Sequence, residues 1–514
     1  MSKSRDMVAA TRNCGRASEF RSEHHAAARS QVRRVARKPL RVMKFGGTSV
    51  GNACAIQKVV DIIRAALLES EVVVVVSAMG GVTNELLDAV TRSEVGDNEA
   101  VASIFDRLNR QHTLAASTLI RSPKRLGLIA GKLRQLLREG DRLCKDAILK
   151  REMTPPARDS LSSLGERLSA PLLAAALAER GVASEAVDAT QLVVTDSCHG
   201  AAEPRMDATR ERCQALLTPM LRRGLVPVVT GFIGATDDGM ITTLGRGGSD
   251  YSATILGASL EADEIIIWTD VDGVLTADPR LVPDACTIPE ISYEAATELA
   301  KFGAKVLHAK TLLPVTQREI PVWIRNTFAP QKPGTKITST GIPADGEVVA
   351  LSAMSNVALI TVEGVDGVRD LLGRTLSTSA AVPPAIFLIS QSSPQKNVRF
   401  IVPSALANRT VEALQRKFAQ NLTYERGDHV NLDPTVAVVT LIGSNIVGRH
   451  GIMESSLEAL NHKNIKLLAI GHGSSRCNVS FVVAQEDMKR AIAIVHRELG
   501  LGLSQNTLLS TQSA

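Results

Sequence analysis

Val42-Met43-Lys44-Phe45-Gly46-Gly47-Thr48-Ser49-Val50-Gly51 ends a short apolar run on a lysine and then turns through two glycines and two hydroxyl residues. Gly46-Gly47 allows a tight turn and close approach to a ligand, because glycine has no Cβ in the way. The stretch after it, Ile56 to Leu68, is apolar at helical spacing and predicts a helix. A helix N-terminus carries free N–H groups and a partial positive charge, so it attracts anions. Lys44 adds a compact full charge at the edge of that site. Strand, lysine, glycine pair, hydroxyls and helix together read as a phosphate cradle. The order is not that of the common P-loop, which sets its lysine after the glycines. Taken alone, the segment also reads as a plain strand-to-helix turn with a stray lysine.

Two further turns repeat the pattern. Ser77-Ala78-Met79-Gly80-Gly81-Val82-Thr83-Asn84 opens a strand end into a helix. Thr242-Thr243-Leu244-Gly245-Arg246-Gly247-Gly248-Ser249-Asp250-Tyr251 does so again and brings a cation and an acid. The planar fork of Arg246 suits a carboxylate or phosphate. Asp250 cannot welcome an anion; it orients neighbouring cations, holds a metal, or simply caps the helix. In open α/β sheets ligands sit beyond the C-terminal ends of the strands, where three such turns converge on one polyanion and its acceptor.

Working outward, residues 39 to about 330 alternate β-branched runs with helical patterns. Strands are expected at Val72–Ser77, Val226–Thr230 and Glu264–Trp268, and helices at Arg158–Glu179, Asp207–Arg223 and Tyr251–Glu261. That alternation predicts an α/β domain with a mainly parallel sheet. Residues 331–347, rich in Pro, Gly, Thr and Ser, read as a linker. The last third holds an internal repeat. Val357–Gly364 parallels Val436–Gly443, and Ser392–Phe400 parallels Ser474–Phe481. Helical patterns follow at Thr410–Phe418 and Glu486–Leu499, so each copy reads as a βαββαβ unit and the pair as duplicated ligand-binding modules. The resulting division is 1–39, a basic and disordered extension; 40–330, a catalytic domain; 331–347, a linker; 348–430 and 431–502, two modules; and 503–514, a tail.

Composition removes several functions. The chain has 514 residues, with 44% hydrophobic and only 3% aromatic, which argues against base-stacking platforms. No apolar run approaches the ~20 residues of a membrane span. Net charge is +6, but residues 1–41 alone hold eleven Lys/Arg against three Asp/Glu. The body is therefore close to neutral, which removes the case for nucleic-acid binding. The head lacks an apolar core and is no secretory signal; it reads as a transit peptide, a basic tail or an early start. The seven cysteines are scattered without a C-x-x-C pair, which fits a reducing compartment.

A fourth segment, Trp268-Thr269-Asp270-Val271-Asp272-Gly273-Val274-Leu275-Thr276-Ala277-Asp278-Pro279-Arg280, fails the D-x-[DN]-x-[DN]-G metal spacing, so no protein-held metal is expected there. Its aspartates cap turns or face a nucleotide. Lys305 supplies another cation. Such concentrated positive charge suits phosphoryl transfer, where catalysis is mostly positioning and charge stabilisation.

These segments together resemble aspartate kinase. The resemblance rests on Lys44–Ser49, Ser163-Leu164-Gly165-Glu166-Arg167-Leu168-Ser169, Thr243–Ser252, Trp268–Val274 and Phe302-Gly303-Ala304-Lys305-Val306-Leu307-His308. The paired repeats look like tandem ACT modules, and the whole match covers about residues 40–500. The resemblance implies the amino-acid-kinase three-layer α/β sandwich, followed by two ferredoxin-like ACT modules. It implies transfer of the ATP γ-phosphoryl group to the β-carboxylate of L-aspartate, with Mg²⁺ held mainly through the phosphates. Carried over by motif, Lys44, Asp250 and Ser77 are catalytic. Lys44, Gly46, Gly47, Thr269, Asp270, Arg280 and Lys305 lie on the ATP side. Thr83, Glu166, Arg246 and Ser249 hold aspartate, Glu166 by its ammonium and Arg246 by a carboxylate. Ser390, Gln391 and Asn397 are effector contacts, and Leu388–Ser393 looks more threonine-responsive than lysine-responsive. A homodimer or higher oligomer through the ACT modules is implied, as is a cytoplasmic location, or a plastid if the head is a transit peptide. Ala309, Leu275 and His199 depart from the family's usual proline, aromatic and phenylalanine, and Gly364–Leu372 looks shortened. No dehydrogenase module follows, which suggests a monofunctional form. Three rivals remain: a kinase of the same fold with another carboxylate acceptor, a catalytically dead amino-acid sensor, and a nicotinamide oxidoreductase. The last lacks G-x-G-x-x-G spacing.

Overall fold

The computed structural model describes residues 38–304, 306–341, 347–362, 388–392, 397–419, 430–448, 451–472 and 476–502. Valine-rich runs build its centre: Val72 to Val76 are each 1% exposed or less. A strand buried on both faces needs no polar alternation, and this is the pattern of a parallel sheet covered on both sides.

The strands of the first part are β1 (Leu40–Phe45), β2 (Glu71–Val76), β3 (Ser184–Val187), β4 (Val226–Thr230), β5 (Ile233–Ala235), β6 (Ile241–Thr243), β7 (Glu264–Thr269), β8 (Glu290–Ser292), β9 (Val322–Asn326) and β10 (Thr335–Thr338). Eight of them form one sheet in the order β3-β4-β2-β1-β7-β9-β10-β8, while β5 and β6 pair as a separate ribbon. All pairings in the main sheet are parallel except β9 with β10.

Side-chain alternation divides the interior into two cores. Met43, Phe45, Val72, Val74 and Val76 face one side. That side is covered by α1 (Ala53–Glu69), α2 (Val82–Val95), α3 (Asn98–Leu119), α4 (Pro123–Lys150), α5 (Pro155–Ser162) and α6 (Leu164–Glu179). Leu40, Val42, Val73 and Val75 face the other, under α7 (Met206–Arg222), α8 (Gly248–Leu260) and α9 (Tyr293–Lys301). The result is a three-layer sandwich. Asn52 starts α1 by accepting the Ala55 N–H at 2.9 Å, the expected work of an N-cap.

Two expectations change. The helix expected over Arg158–Glu179 is split at Ser163, whose hydroxyl donates to the Ser160 carbonyl at 2.6 Å and ends α5. The stretch expected as a linker contributes β10. Its Ile337 is fully buried, and the strand pairs with both β8 and β9. Turn-forming Pro and Gly around it concealed a β-branched Thr-Lys-Ile-Thr core.

The last third forms a six-stranded antiparallel sheet of β11 (Val348–Val362), β12 (Leu388–Ser392), β13 (Asn397–Pro403), β14 (Val430–Gly443), β15 (Leu467–His472) and β16 (Asn478–Ala484), ordered β12-β13-β11-β14-β16-β15. The two modules share its long central strands. The start of β11 pairs with the end of β14, and both line a core under α11 (Ile452–His462) and α12 (Met488–Glu498). The end of β11 pairs with β13 and the start of β14, beneath α10 (Ser404–Ala419). Gly364–Leu372 lies outside the described residues.

This sheet is hydrogen-bonded to the first part. Leu351 N donates to the Thr276 carbonyl at 2.8 Å. Ser352 Oγ donates to the Phe302 carbonyl at 2.6 Å. Asn478 Nδ2 donates to Glu298 Oε2 at 2.6 Å in a buried setting. Among the described residues, no helix is long and apolar enough to cross a membrane.

Candidate active site

The three glycine turns leave the C-terminal ends of β1 and β2 and of the β6 ribbon strand, and they lead into α1, α2 and α8. The first two pack backbone on backbone. A Cβ at Gly47 would lie 3.1 Å from the Ala78 carbonyl oxygen, tighter than most real Cβ contacts, so the close approach favours glycine there. Ser77 N donates to the Phe45 carbonyl and Gly46 N to the Trp268 carbonyl, each at 3.1 Å, tying the cradle to the strands on both sides of β1. In the third turn Gly247 has φ +70°, and a Cβ would sit 2.6 Å from that of His308.

Lys44, the next-to-last residue of β1, is 8% exposed. Its Nζ lies 2.5 Å from Asp250 Oδ1 in the first turn of α8. A buried lysine needs such a partner, because an isolated ammonium is costly to desolvate. Asp250 Oδ1 is thus the charged partner of the lysine head, in the first turn of α8.

Glu166, in the first turn of α6, is 4% exposed, and its Oε2 has no hydrogen-bond partner. Burial pushes its pKa up to about 7. The Ala78 and Glu166 N–H groups, the charge of Lys44 and the Ser249 hydroxyl each pull it back down by less. Lys44, Asp250, Glu166 and Ser249 thus form one cluster that includes a buried carboxylate oxygen without a hydrogen-bond partner.

The remaining expected residues are more dispersed. Ser77 contributes its backbone, its carbonyl accepting from Ser169 Oγ at 2.7 Å. Thr83 is partly exposed on α2, and Arg246 is exposed without an ion-pair partner among the described residues. Thr269 ends β7 beside the cradle and donates its hydroxyl to Asp270 Oδ1 at 3.2 Å. Arg280 is engaged by Asp278 at 2.5 Å in an exposed turn. Lys305 lies outside the described residues. Ser390, Gln391 and Asn397 fall on the β12/β13 pair, where Ser392 opposes Asn397.

Sequence reasoning missed Asp159. It is 3% exposed and accepts four hydrogen bonds: His199 Nδ1 at 2.8 Å, Gly200 N and Thr243 N at 3.1 Å, and Thr243 Oγ at 2.7 Å. An aspartate amid the polar run before Leu164 gave no periodic signal. Only the position of His199 stood out.

A family model described as the amino acid kinase family matches residues 39–326, and one described as an ACT domain matches 439–499. The lysine-sensitive aspartokinase 3 of Escherichia coli is 33% identical over 466 residues, covering 89% of this chain and 98% of that one. The chain belongs to the aspartokinase family. The chloroplastic bifunctional aspartokinase/homoserine dehydrogenase 1 of Arabidopsis thaliana is 32% identical over 475 residues, covering 91% of this chain and 51% of the relative. The chain thus spans about half the length of the bifunctional aspartokinases it matches. The crystal structure of E. coli aspartokinase III in complex with aspartate and ADP superposes with a TM-score of 0.76 at 29% identity, over 90% of this chain and all of that one. The sandwich followed by an ACT-like sheet is therefore the aspartokinase architecture, as the motifs implied.

Proposed function

We propose that this chain phosphorylates the β-carboxylate of L-aspartate with ATP, giving 4-phospho-L-aspartate and ADP. The observation that carries this reading is the buried Lys44–Asp250 pair beside the buried, unpartnered oxygen of Glu166, where the glycine turns meet. The substrate carboxylate, with an ordinary pKa near 3.9, is already ionised, so no general base is needed. The obstacle is repulsion between two anions, roughly 4 kcal/mol at 4 Å and an effective ε of 20. Lys44 offsets it. One β-carboxylate oxygen bonds the γ-phosphorus while the bond to the bridging oxygen breaks, and ADP leaves with that electron pair. Glu166 receives the substrate ammonium, and Arg246, Thr83 and Ser249 hold the rest of aspartate. Gly46, Gly47, Thr269, Asp270, Arg280 and Lys305 serve the nucleotide. Mg²⁺ supplies charge neutralisation and rides mainly on the phosphate oxygens, the hard ligands it prefers.

The shared-strand ACT sheet would seat an end-product amino acid and the homodimer contact. Leu388–Ser393 favours threonine, while the E. coli relative bears the name lysine-sensitive. The basic head and the chloroplastic name of the Arabidopsis relative support plastid import; without import the enzyme is cytoplasmic. The reading is tested by aspartate-dependent ADP release with ATP and Mg²⁺, with threonine and lysine added in turn. ADP formation that ignores aspartate sinks it.

A further inference from the structure

We infer that Asp159, seated by His199, is a positioning residue that fixes the span between Glu166 and the Arg246 turn, and so sets how long a substrate backbone the site accepts. The inference rests on the proposed roles of Glu166 and Arg246.

Asp159 stands on α5, and Glu166 on α6. The two helices follow one another directly, with Ser163 alone between them, so Asp159 and Glu166 belong to one helix–helix corner. From that corner Asp159 reaches across to β6. Its Oδ2 accepts the Thr243 N–H at 3.1 Å and its Oδ1 the Thr243 hydroxyl at 2.7 Å. The Thr243 carbonyl is held from the other side by Ala202 N at 2.9 Å. Thr243 is thereby fixed on both of its backbone groups, and Arg246 follows three residues later. The same Oδ2 accepts Gly200 N at 3.1 Å. Gly200 presses on the turn itself, since a Cβ at Gly245 would lie 3.1 Å from the Gly200 carbonyl oxygen, and Gly245 already has φ +79°.

His199 completes the arrangement. A carboxylate only accepts, so the histidine Nδ1 carries the proton and donates it to Oδ2 at 2.8 Å. Charge-assisted bonds of this kind are short and about twice as strong as neutral ones. One buried carboxylate thus ties the corner that carries the ammonium contact to the turn that carries the carboxylate contact. Aspartate and glutamate differ by one methylene in the distance a site must span. Loosening this tie should raise the KM for aspartate and narrow the discrimination against glutamate, while the nucleotide side is untouched.

The test uses the full chain. Asp159→Ala leaves three N–H donors without an acceptor; Asp159→Asn can turn its oxygen toward them and is the rescue variant. Thr243→Val and His199→Phe each remove one donor and are the milder pair if Asp159→Ala does not fold. The expected result is a KM for aspartate raised about tenfold or more in Asp159→Ala, equivalent to ~1.4 kcal/mol. KM for ATP stays within about twofold, the glutamate-to-aspartate hydroxamate ratio rises, and Asp159→Asn recovers most of the loss. Wild-type KM and selectivity in Asp159→Ala overturn the inference. So does a fall in Tm with kcat and both KM values shifted together, which marks a scaffold role only. If Glu166→Gln and Arg246→Ala themselves leave the KM for aspartate unchanged, the underlying site reading has failed, and the two failures are told apart.

Discussion

Glu166 places a titration inside the working pH range. Its raised pKa of about 7 means that the free site is about half protonated at neutrality. Binding the substrate ammonium requires the carboxylate form. The KM for aspartate should therefore be flat above about pH 8 and rise about tenfold per unit as pH falls well below 7. Initial-rate kinetics across pH 5.5–8.5 check this, and a flat profile contradicts the ammonium contact. The same group costs stability, and its sign is opposite to that of a salt-bridged acid. The folded state holds this proton more tightly than the unfolded one, so stability is full below pH 4.5 and is lost as pH rises through 7. Glu166→Gln should thus be more stable than the parent at pH 8, by up to about 3 kcal/mol of unfolding free energy, while its KM for aspartate rises. Lys44→Ala should lower kcat by about 10²–10³ without matching loss of aspartate binding, as expected for a charge aimed at the transferring group. A full-activity variant contradicts the cradle role. At this scale Lys44 and Asp250 drew attention as charges in glycine-rich turns, whereas Glu166 and Ser249 were named only through the family resemblance; the structure places the four side by side. Asp159 was not legible, because its role is defined by four partners, on residues 199, 200 and 243, scattered along the chain.

The glycine turns are where the element scale decides function. Gly247 combines φ +70° with a Cβ position 2.6 Å from that of His308. Gly247→Ala must strain the backbone and displace His308, so we expect more than about 1 kcal/mol of destabilisation. Thermal melts measure the loss; an unchanged Tm contradicts it. The parallel strands were readable because both faces are buried and the valine run has no competing interpretation. The short strand Thr335–Thr338 was hidden because four residues flanked by turn formers carry too little periodicity to outweigh them. The break at Ser163 was hidden because a single hydroxyl-to-carbonyl bond ends α5 without disturbing the apolar spacing.

Across the whole molecule, the ACT-like sheet is joined to the loop that follows β7, to α9 and to the turn after it. Leu351 bonds the Thr276 carbonyl, Ser352 the Phe302 carbonyl, and Asn478 the buried Glu298. An amino acid bound to the sheet acts on catalysis by binding one state of the chain better than another, and these contacts lie on a direct route between the two parts. Asn478→Ala removes one of them and should weaken inhibition by the effector several-fold while the uninhibited rate holds. Dose–response curves for threonine and lysine report this, and an unchanged midpoint contradicts it. The repeat in the last third showed that two modules exist. That they share two long strands was not readable, since strand pairing across β11 and β14 is a tertiary choice that neither copy encodes alone. The central claim, phosphoryl transfer to the aspartate side chain, is tested most directly by trapping the product with hydroxylamine. The wild-type chain, ATP and Mg²⁺ should give β-aspartyl hydroxamate from aspartate, far less product from glutamate, and almost none with Lys44→Ala. A folded wild-type chain that yields no hydroxamate, or a Lys44→Ala variant that yields as much as the parent, contradicts the account.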